Sequence, residues 1–592
     1  MTNNPNRLSR FWQELKRRRV IHVITVYASA AFVLIELTGN LTEPLNLPSS
    51  FSTIVIIVLA VGFLPAIILS WIYDLSSGTL KRTGPKEEFQ EEEKAQVPNA
   101  WKVATIISFV IIVGLVVFNI VSRGNVLKPG MIQSLAVLPF DNFTGDEQLD
   151  YVVAGLHTSL IGDIGKVGAL RVIGKTSSNI YKNSKKSAPE IAKELKVEAL
   201  VEPSVLCYGD SVCLQIRLIT MYPKERQLFV EEYKVDKSQI LNLYNQITKQ
   251  IAQEMMVEIT PEQERLLANT RTVDREAYDA FLWGSYLLDD GSEESLHKAL
   301  EYLNSAIEKD PDWAPLYSGL VSVWLTLVQG FYVTPENADP KIIAYRNKAL
   351  ELDPDLAEIH ALDAGIAFLT EWNWEKAERE YLKAIAANPN DAPTRVLYGH
   401  LLCCLQRPGE ALTQGKLAIE LDPGNPQVQT WYSAILMGLG DCETALTYGE
   451  KMVAAKPDHS FGNYIIQLAG FRCKDYEKSF RATKYLLPLE DDAMNEIEAI
   501  FDKQGFVAAF EEITNRLEVL ALKGMYEPMD MVVMYIFANR PDKAMDWIER
   551  GFEVHSHQIP YIATGIYNLD TLYENPRFIA VLEKMNLPLP PE

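Results

Sequence analysis

Side chains that could carry out acid–base chemistry crowd into one short stretch of the chain, at Asp141, Asp146, Asp150, His157 and Asp163. A general acid and a general base must converge in one pocket, where the surroundings shift the proton affinity of a partner. Apolar residues at helical spacing predict a helix over residues 148–166 and leave Asp150, His157 and Asp163 on its solvated face. We interpret these residues as surface charge and helix caps, and predict that the chain is not an enzyme. A glycan or lipid transferase that uses Asp150 or His157 is kept as an alternative hypothesis.

The His555-Ser556-His557 sequence invites a metal interpretation. Metal sites usually need a third or fourth ligand, and none is evident nearby, so we interpret these as exposed loop histidines. Gly162, Gly165 and Gly168 form neither a GxGxxG sequence nor a phosphate-binding loop. The sequence therefore predicts no catalytic residue, no metal and no cofactor.

Six cysteines offer redox or metal chemistry. Cys207 and Cys213 flank Tyr-Gly-Asp-Ser-Val, in which Gly-Asp indicates a hairpin turn between two strands. A three-residue loop would place the two cysteines opposite each other and allow a disulfide, whereas a two-residue loop would put them out of register; both alternatives stay open. The other four cysteines lack zinc-ligand spacing and lie on predicted helices, where we expect them to be small buried apolar residues. They are Cys403, Cys404, Cys442 and Cys473.

The elements that must position these residues show an internal repeat. An Xaa-Pro pair recurs near the ends of apolar helical segments, with prolines 43, 35, 34 and 34 residues apart, at Pro311, Pro354, Pro389, Pro423 and Pro457. A period of 34 residues is that of the tetratricopeptide repeat, a helix–turn–helix unit that is stable only when stacked. Small residues such as Gly399, Ala411 and Ala418 recur where paired helices must approach closely. The sequence therefore predicts an all-α solenoid.

The first helix of each repeat lines the concave face of such a solenoid. If the register holds, that face presents Ile366, Leu369, Val396, His400, Cys403, Ala434 and Met437. This lining is mainly apolar and lacks the Lys/Asn set that clamps a terminal carboxylate, so we predict an apolar or extended peptide ligand. The alternative, that several of these are ordinary core residues, stays open.

A small α/β region precedes the repeats. Short apolar runs that end at turn residues predict five strands, over residues 134–140, 170–173, 199–208, 212–221 and 227–235. Helical spacing predicts helices between the first strands and after the last one. The order of the elements indicates a mixed sheet covered by helices.

Three apolar segments, over residues 20–37, 51–73 and 103–121, approach the length of membrane spans. Basic residues precede the first segment and separate the second from the third, which places the amino terminus in the cytoplasm. We therefore predict a multi-pass protein of the bacterial inner membrane, in contact with the lipid bilayer, whose soluble carboxy-terminal part is periplasmic.

Several blocks of sequence carry a family resemblance. SLAVLPFDNFTGDEQLDYVVAGLHTSLIGDIGKVGALRVIGKTSSNIYK and EIAKELKVEALVEPSV resemble the TolB amino-terminal-like (FlgO-like) domain of bacterial envelope proteins. FWQELKRRRVIHVITVYASAAFVLIEL and WIYDLSSGTLKR are similar to the membrane module that accompanies it, and TLYENPRFIAVLEKMNLPL to the last helix of its tetratricopeptide members. The resemblance implies contacts with envelope proteins. Some members carry a cytoplasmic adenylate cyclase or DNA-binding domain, for which the roughly twenty residues before the first apolar segment leave no room.

Together these features predict a multidomain chain: transmembrane α-helices, a small α/β domain and a tetratricopeptide solenoid. The predicted boundaries are 1–19 for a basic tail, 20–122 for the anchor, 131–260 for the α/β domain, 275–490 for the solenoid and 491–592 for a cap. The formal charge of −22 argues against nucleic acid as a partner. We predict a membrane-anchored scaffold that binds envelope proteins or peptides. The alternative is a transmembrane sensor that signals to a separate cytoplasmic protein.

Overall fold

A computed structural model of the chain describes residues 132–589 apart from 222–223, 269–270, 330–331, 488 and 524–525. Before residue 132 it describes residues 12, 15, 20–42, 55–56, 59, 61–63, 73–74 and 81–82. The chain divides into two compact units, Met1–Val126 and Leu127–Glu592.

The first unit contains a helix, α1 (Val20–Thr42), and two short strands, β1 (Tyr73–Asp74) and β2 (Lys81–Arg82), which pair antiparallel. Within the described part of the chain, no helix combines the length and the apolar character that a membrane crossing requires. The predicted transmembrane helices and the multi-pass inner-membrane location are therefore wrong.

A span needs one continuous helix that is apolar along its length, which a run of apolar residues in the sequence does not guarantee. Helix α1 carries polar residues, among them Thr25, Ser29 and Glu36. Most of the predicted second segment and all of the third lie outside the described residues.

The second unit begins with a mixed sheet. Its strands are β3 (Ser134–Val137), β4 (Asp141–Asn142), β5 (Arg171–Val172), β6 (Ala199–Tyr208), β7 (Ser211–Thr220) and β8 (Arg226–Asp236). The spatial order is β5-β3-β6-β7-β8, with β4 also paired to β6. Strand β3 is parallel to β5 and β6, whereas β6, β7 and β8 form an antiparallel meander. The predicted mixed sheet is confirmed.

Helices cover this sheet because its apolar residues need burial on both faces. They are α2 (Asp150–Gly165), α3 (Lys175–Asn179), α4 (Ala188–Leu195) and α5 (Ile240–Glu254). Helix α4 begins with a capping box, in which Ser187 and Glu190 satisfy each other's backbone N–H groups. A short helix, α6 (Pro261–Leu267), follows α5.

The rest of the chain is a series of antiparallel helical hairpins. Successive pairs are α7 (Arg275–Asp290) and α8 (Glu293–Lys309); α9 (Ala314–Gln329) and α10 (Pro335–Leu352); α11 (Ala357–Leu369) and α12 (Trp374–Ala387); α13 (Ala392–Cys404) and α14 (Pro408–Leu421); α15 (Pro426–Gly438) and α16 (Cys442–Ala455); α17 (Ser460–Arg472) and α18 (Tyr476–Thr483); α19 (Asp491–Gln504) and α20 (Phe506–Leu522); α21 (Pro528–Phe537) and α22 (Pro541–Glu553). Single 3₁₀ turns at Ile559–Ala563, Gly565–Tyr567 and Asp570–Leu572 lead to the last helix, α23 (Pro576–Lys584).

Small residues let the paired helices approach closely. A Cβ atom on Gly399 would lie 2.7 Å from Ile435 Cδ1 and 3.2 Å from the carbonyl oxygen of Ala411. Ala411 and Ala418, one helix on, are completely buried. Such contacts are possible only with small side chains, which explains the recurrence of Gly and Ala at the repeat period.

Two disulfides lie in this unit. Cys207 and Cys213 face each other across β6 and β7, with their Cα atoms 4.8 Å apart, and form one bridge. Cys442 and Cys473 form the other. The prediction of buried free thiols at these two positions is wrong, because Cys442 begins α16 and Cys473 caps α17, and antiparallel packing brings these two helix ends together. Cys403 and Cys404 are free and buried, as expected.

The Cys442–Cys473 bridge should be an important constraint on the unfolded chain, because it joins residues 31 positions apart. A C442S substitution in the full chain is expected to lower the free energy of unfolding by about 2–4 kcal/mol. The matched variant, C207S, opens a bridge of sequence separation 6 and should cost less. Urea unfolding of both variants measures the difference; an equal loss would contradict the chain-entropy explanation.

Candidate functional site

The predicted peptide-binding residues lie on the first helices of their hairpins, on the side that we call the inner face, and most are inaccessible. Val396, His400, Cys403 and Met437 are buried, and Ile366, Leu369 and Ala434 are half-buried. These residues are covered by another segment of the same chain, residues 559–569, which we call the C-terminal plug. A partner peptide does not reach these four buried residues while the plug is in place.

The plug contacts residues of helices α11, α13 and α17 and of the turn that follows α13. The Tyr561 ring packs edge-on against Phe368 and His400, with ring centroids 5.7 and 5.4 Å away. Gln406 donates a hydrogen bond to the carbonyl oxygen of Ala563. Arg472 on α17 lies 3.4 Å from the carbonyl oxygen of Gly565. The inner face therefore holds an irregular polypeptide segment.

His400 is a neutral hydrogen-bonding residue in this interface. Its Nε2 lies 2.8 Å from the carbonyl oxygen of Trp431 and must therefore donate, which leaves Nδ1 to accept from the Tyr561 hydroxyl at 3.0 Å. Burial lowers the pKa of His400 to about 4, because the charged imidazolium would lose its solvation. His400 is thus a structural residue.

The turns between repeats bind the α/β region. Asp422 is 4% exposed, and its Oδ1 accepts hydrogen bonds from the backbone N and the Oγ of Ser177, at 2.9 and 2.5 Å. The backbone N of Gly424 donates to Ser177 Oγ at 2.7 Å. A Cβ atom on Gly174 would lie 2.6 Å from Asp422 Cγ, so this approach requires glycine.

Two preceding turns bind the same region, one repeat apart. The Asn390 side chain accepts from the backbone N of Val172 at 2.9 Å and donates to the carbonyl oxygen of Gly165 at 2.8 Å. Asp355 pairs with Arg265 of α6 at 2.6 Å. The Xaa-Pro turns that revealed the repeat in the sequence thus also carry its contacts with the α/β region, which sequence reasoning missed.

A cleft remains open between the α/β region and the first hairpin, and we call it the junction cleft. It encloses about 370 Å³ between α2 and α3 on one side and the α7–α8 turn on the other. Lys175, Asn179 and Lys182 line the first wall, and Asp289 and Asp290 line the second. Lys175 pairs with Asp289 at 2.5 Å across the cleft.

Two residues that the sequence analysis considered for catalysis meet in this cleft. Asp150 is exposed at one side, 3.7 Å from Lys182, and His157 is almost fully buried at the floor. The predicted solvated position of His157 is wrong, because α2 turns this side chain toward β3, where Nε2 lies 2.9 Å from the carbonyl oxygen of Val137. Burial lowers the pKa of His157 to about 4.

The other candidate residues do not join this cleft. Asp163 pairs with Lys166, and Asp146 caps a short 3₁₀ turn by accepting from the backbone N of Gln148. His555 and His557 are exposed. Across the described residues, no group of three or more His, Cys, Asp or Glu side chains is placed to hold a metal ion.

Comparisons with known proteins give partial similarities. No family model matches the chain. Over 206 residues the chain is 29% identical to "Putative adenylate cyclase 3" of Rhizobium meliloti (strain 1021), a match that covers 34% of this chain. The chain spans about a third, 35%, of the length of that curated relative. The prediction that the chain is not an enzyme is contradicted by this similarity, since the relative's name is that of an enzyme.

Several solved tetratricopeptide structures resemble parts of the array. They include pilF of Pseudomonas aeruginosa (18% identity, TM-score 0.28, covering 36% of this chain and 89% of that chain). A thermophilic TPR protein of Thermus thermophilus has 16% identity and a TM-score of 0.26, covering 36% and 98%. A tetratricopeptide protein of Parabacteroides merdae has 12% identity and a TM-score of 0.28, covering 53% and 100%. The hairpins and their 34-residue period are the features of this chain that identify tetratricopeptide-type repeats.

Acidification should destabilise the fold through His157 and His400. The pKa of each is lowered on folding, so the unfolded chain binds more protons below about pH 6.5 and stability is lost as the pH falls. Between about pH 7.5 and pH 5.5 each histidine should cost about 1 kcal/mol. Urea unfolding of the full chain and of H400Q at both pH values measures this; an unchanged pH dependence in H400Q would contradict it.

Replacing Asp422 should loosen the α/β region from the array. A D422L substitution leaves the backbone N–H and hydroxyl of Ser177 without their acceptor, which should cost about 2–4 kcal/mol of unfolding free energy. The control is D458L, at an exposed aspartate in a later turn, which should change stability by less than about 0.5 kcal/mol. Hydrogen exchange over residues 171–179 provides a local readout, and equal protection in both variants would contradict the assignment.

Proposed function

We propose that the chain is a protein-interaction scaffold that binds a partner protein at the first hairpin of the array. The observation that carries this proposal is a partly exposed cluster of aromatic side chains beside the junction cleft. We call this cluster the aromatic patch; it consists of Tyr151, Trp283, Tyr286 and Tyr302.

The rings of the aromatic patch contact one another, and two of them are accessible. Trp283 stacks on Tyr151, with ring centroids 4.0 Å apart, and on Tyr302 at 5.7 Å. Tyr286 packs edge-on against Trp283 at 6.0 Å. Tyr286 and Tyr302 are nevertheless 42% and 37% exposed. Tyrosine and tryptophan are enriched among the residues that dominate binding energy, since they offer large contact areas with little rotamer freedom.

The position of the patch supports the same function. The C-terminal plug covers the inner face of the array, and the α/β region covers its turns at Asp355, Asn390 and Asp422. At the first hairpin, Tyr286 and Tyr302 remain partly exposed beside the junction cleft. An aromatic surface beside a concave site is an arrangement suited to a partner protein.

We further propose that the α/β region is a TolB amino-terminal-like domain, which would supply one wall of the partner site. The support is the order of its strands and helices together with the sequence blocks around Leu138 and Val201. The resemblance implies that the partner bound at this site is a protein.

A second candidate function is nucleotide cyclisation, and the similarity to the putative adenylate cyclase of Rhizobium meliloti favours it. The reaction would join the 3′-oxygen of ATP to its α-phosphorus and release pyrophosphate. The direct test is the release of cyclic AMP from ATP by the purified full chain.

Site-specific photocrosslinking tests the scaffold proposal. Replacing Tyr286 by p-benzoylphenylalanine in the full chain should give discrete crosslinked adducts in an extract of the source cells. The matched control carries the same group at Tyr485, which is 55% exposed and outside the aromatic patch, and should not give these adducts. The same adducts from both positions, or none from Tyr286, would contradict a partner site at the first hairpin.

A further inference from the structure

We propose that the junction cleft binds an extended segment of the partner polypeptide, holding its backbone between two polar walls and one apolar side chain at the floor. This inference rests on the proposed scaffold function and specifies the chemistry of its ligand.

The walls of the cleft offer both hydrogen-bond donors and acceptors. Lys175, Asn179 and Lys182 provide N–H groups on one side, and Asp289 and Asp290 provide carboxylate oxygens on the other. An extended backbone presents N–H and C=O groups along its length, and each needs a partner once water is excluded. A purely anionic or purely cationic ligand would leave one wall without a complement.

A buried acceptor at the floor favours a ligand that carries N–H groups. Because Nε2 of the neutral His157 ring donates to the carbonyl oxygen of Val137, Nδ1 is left as an acceptor. His157 lines the floor of the cleft, so this acceptor lies beside the space that a ligand would occupy. His157 is 2% exposed, so a hydrogen bond from a backbone N–H would form in a desolvated position, where it contributes most.

The apolar part of the lining fits one aliphatic side chain. Phe140, Val153 and Leu287 contribute to it, and Tyr286 connects it to the aromatic patch. The enclosed volume of about 370 Å³ falls in the range of small-ligand sites, enough for a few residues but not for a folded element.

The ion pair between Lys175 and Asp289 does not prevent entry. Their side chains are 28% and 61% exposed, and exposed pairs of this kind contribute only about 0–1 kcal/mol. An incoming backbone can replace each partner's contact, with its carbonyl oxygen accepting from Lys175 and its N–H donating to Asp289.

Saturation-transfer NMR on the full chain tests this inference with the capped tripeptide Ac-Gly-Leu-Gly-NH2. We expect saturation of the leucine methyl groups and a Kd of about 0.1–1 mM, as the contact efficiency of small ligands allows. Ac-Gly-Gly-Gly-NH2, which lacks the apolar side chain, should bind at least about tenfold more weakly.

Two substitutions on α2 distinguish binding of the tripeptide in the junction cleft from binding elsewhere on the chain. A154W fills the cleft beside Val153 and should abolish the tripeptide signal, whereas T158W, at an exposed position one turn further on, should retain it. An equal signal in A154W, or no signal from the unsubstituted chain at about 5 mM tripeptide, overturns the inference. Photocrosslinking at Tyr286 that persists in A154W would then show that the scaffold function stands while the cleft is not its site.

Discussion

The structure depends on covering the apolar inner face of a curved array of helical hairpins. Each hairpin buries one side against its neighbours, and apolar residues of the first helices, such as Val396 and Met437, are completely buried as well. Left in water, that surface would cost roughly 25 cal/mol per Å². Residues 559–569 fold back into the array and remove this apolar surface from water. Ile559, Ile562 and Leu569 of this segment are themselves completely buried.

The depth of this burial decides how the inner face can be used. Each large apolar side chain of the plug contributes roughly 1.5–3 kcal/mol on burial, and several are fully enclosed. Because a domain is stable by only about 5–15 kcal/mol, removing the plug from the array would cost a large part of that stability. A segment of the chain itself therefore occupies the face on which the sequence analysis placed a peptide ligand.

The α/β region uses a different surface of the same array, through the turns that recur with the repeat. A buried carboxylate such as Asp422 needs hydrogen-bond donors, and Ser177 of the α/β region supplies two of them while Asn425 supplies a third. The Ser177 bonds therefore fix the register between the two parts. That fixed register creates the junction cleft, since its two walls come from residues more than a hundred positions apart. A site at such a junction is possible only if the docking is specific.

The sequence by itself determined the local structure: the 34-residue period, the hairpins around Gly399 and Ala411, and the mixed sheet with its Cys207–Cys213 hairpin strands. These features follow from periodicities that act over a few residues or one repeat. The prediction that the segment of α1 spans the membrane was wrong, because no described helix has both the length and the apolar character that a span needs. Only the tertiary structure decided that the plug covers His400, that Cys442 meets Cys473, and that His157 points to a cleft floor. Those outcomes depend on contacts between residues up to 161 positions apart, as for His400 and Tyr561, and no local pattern encodes which distant surfaces meet.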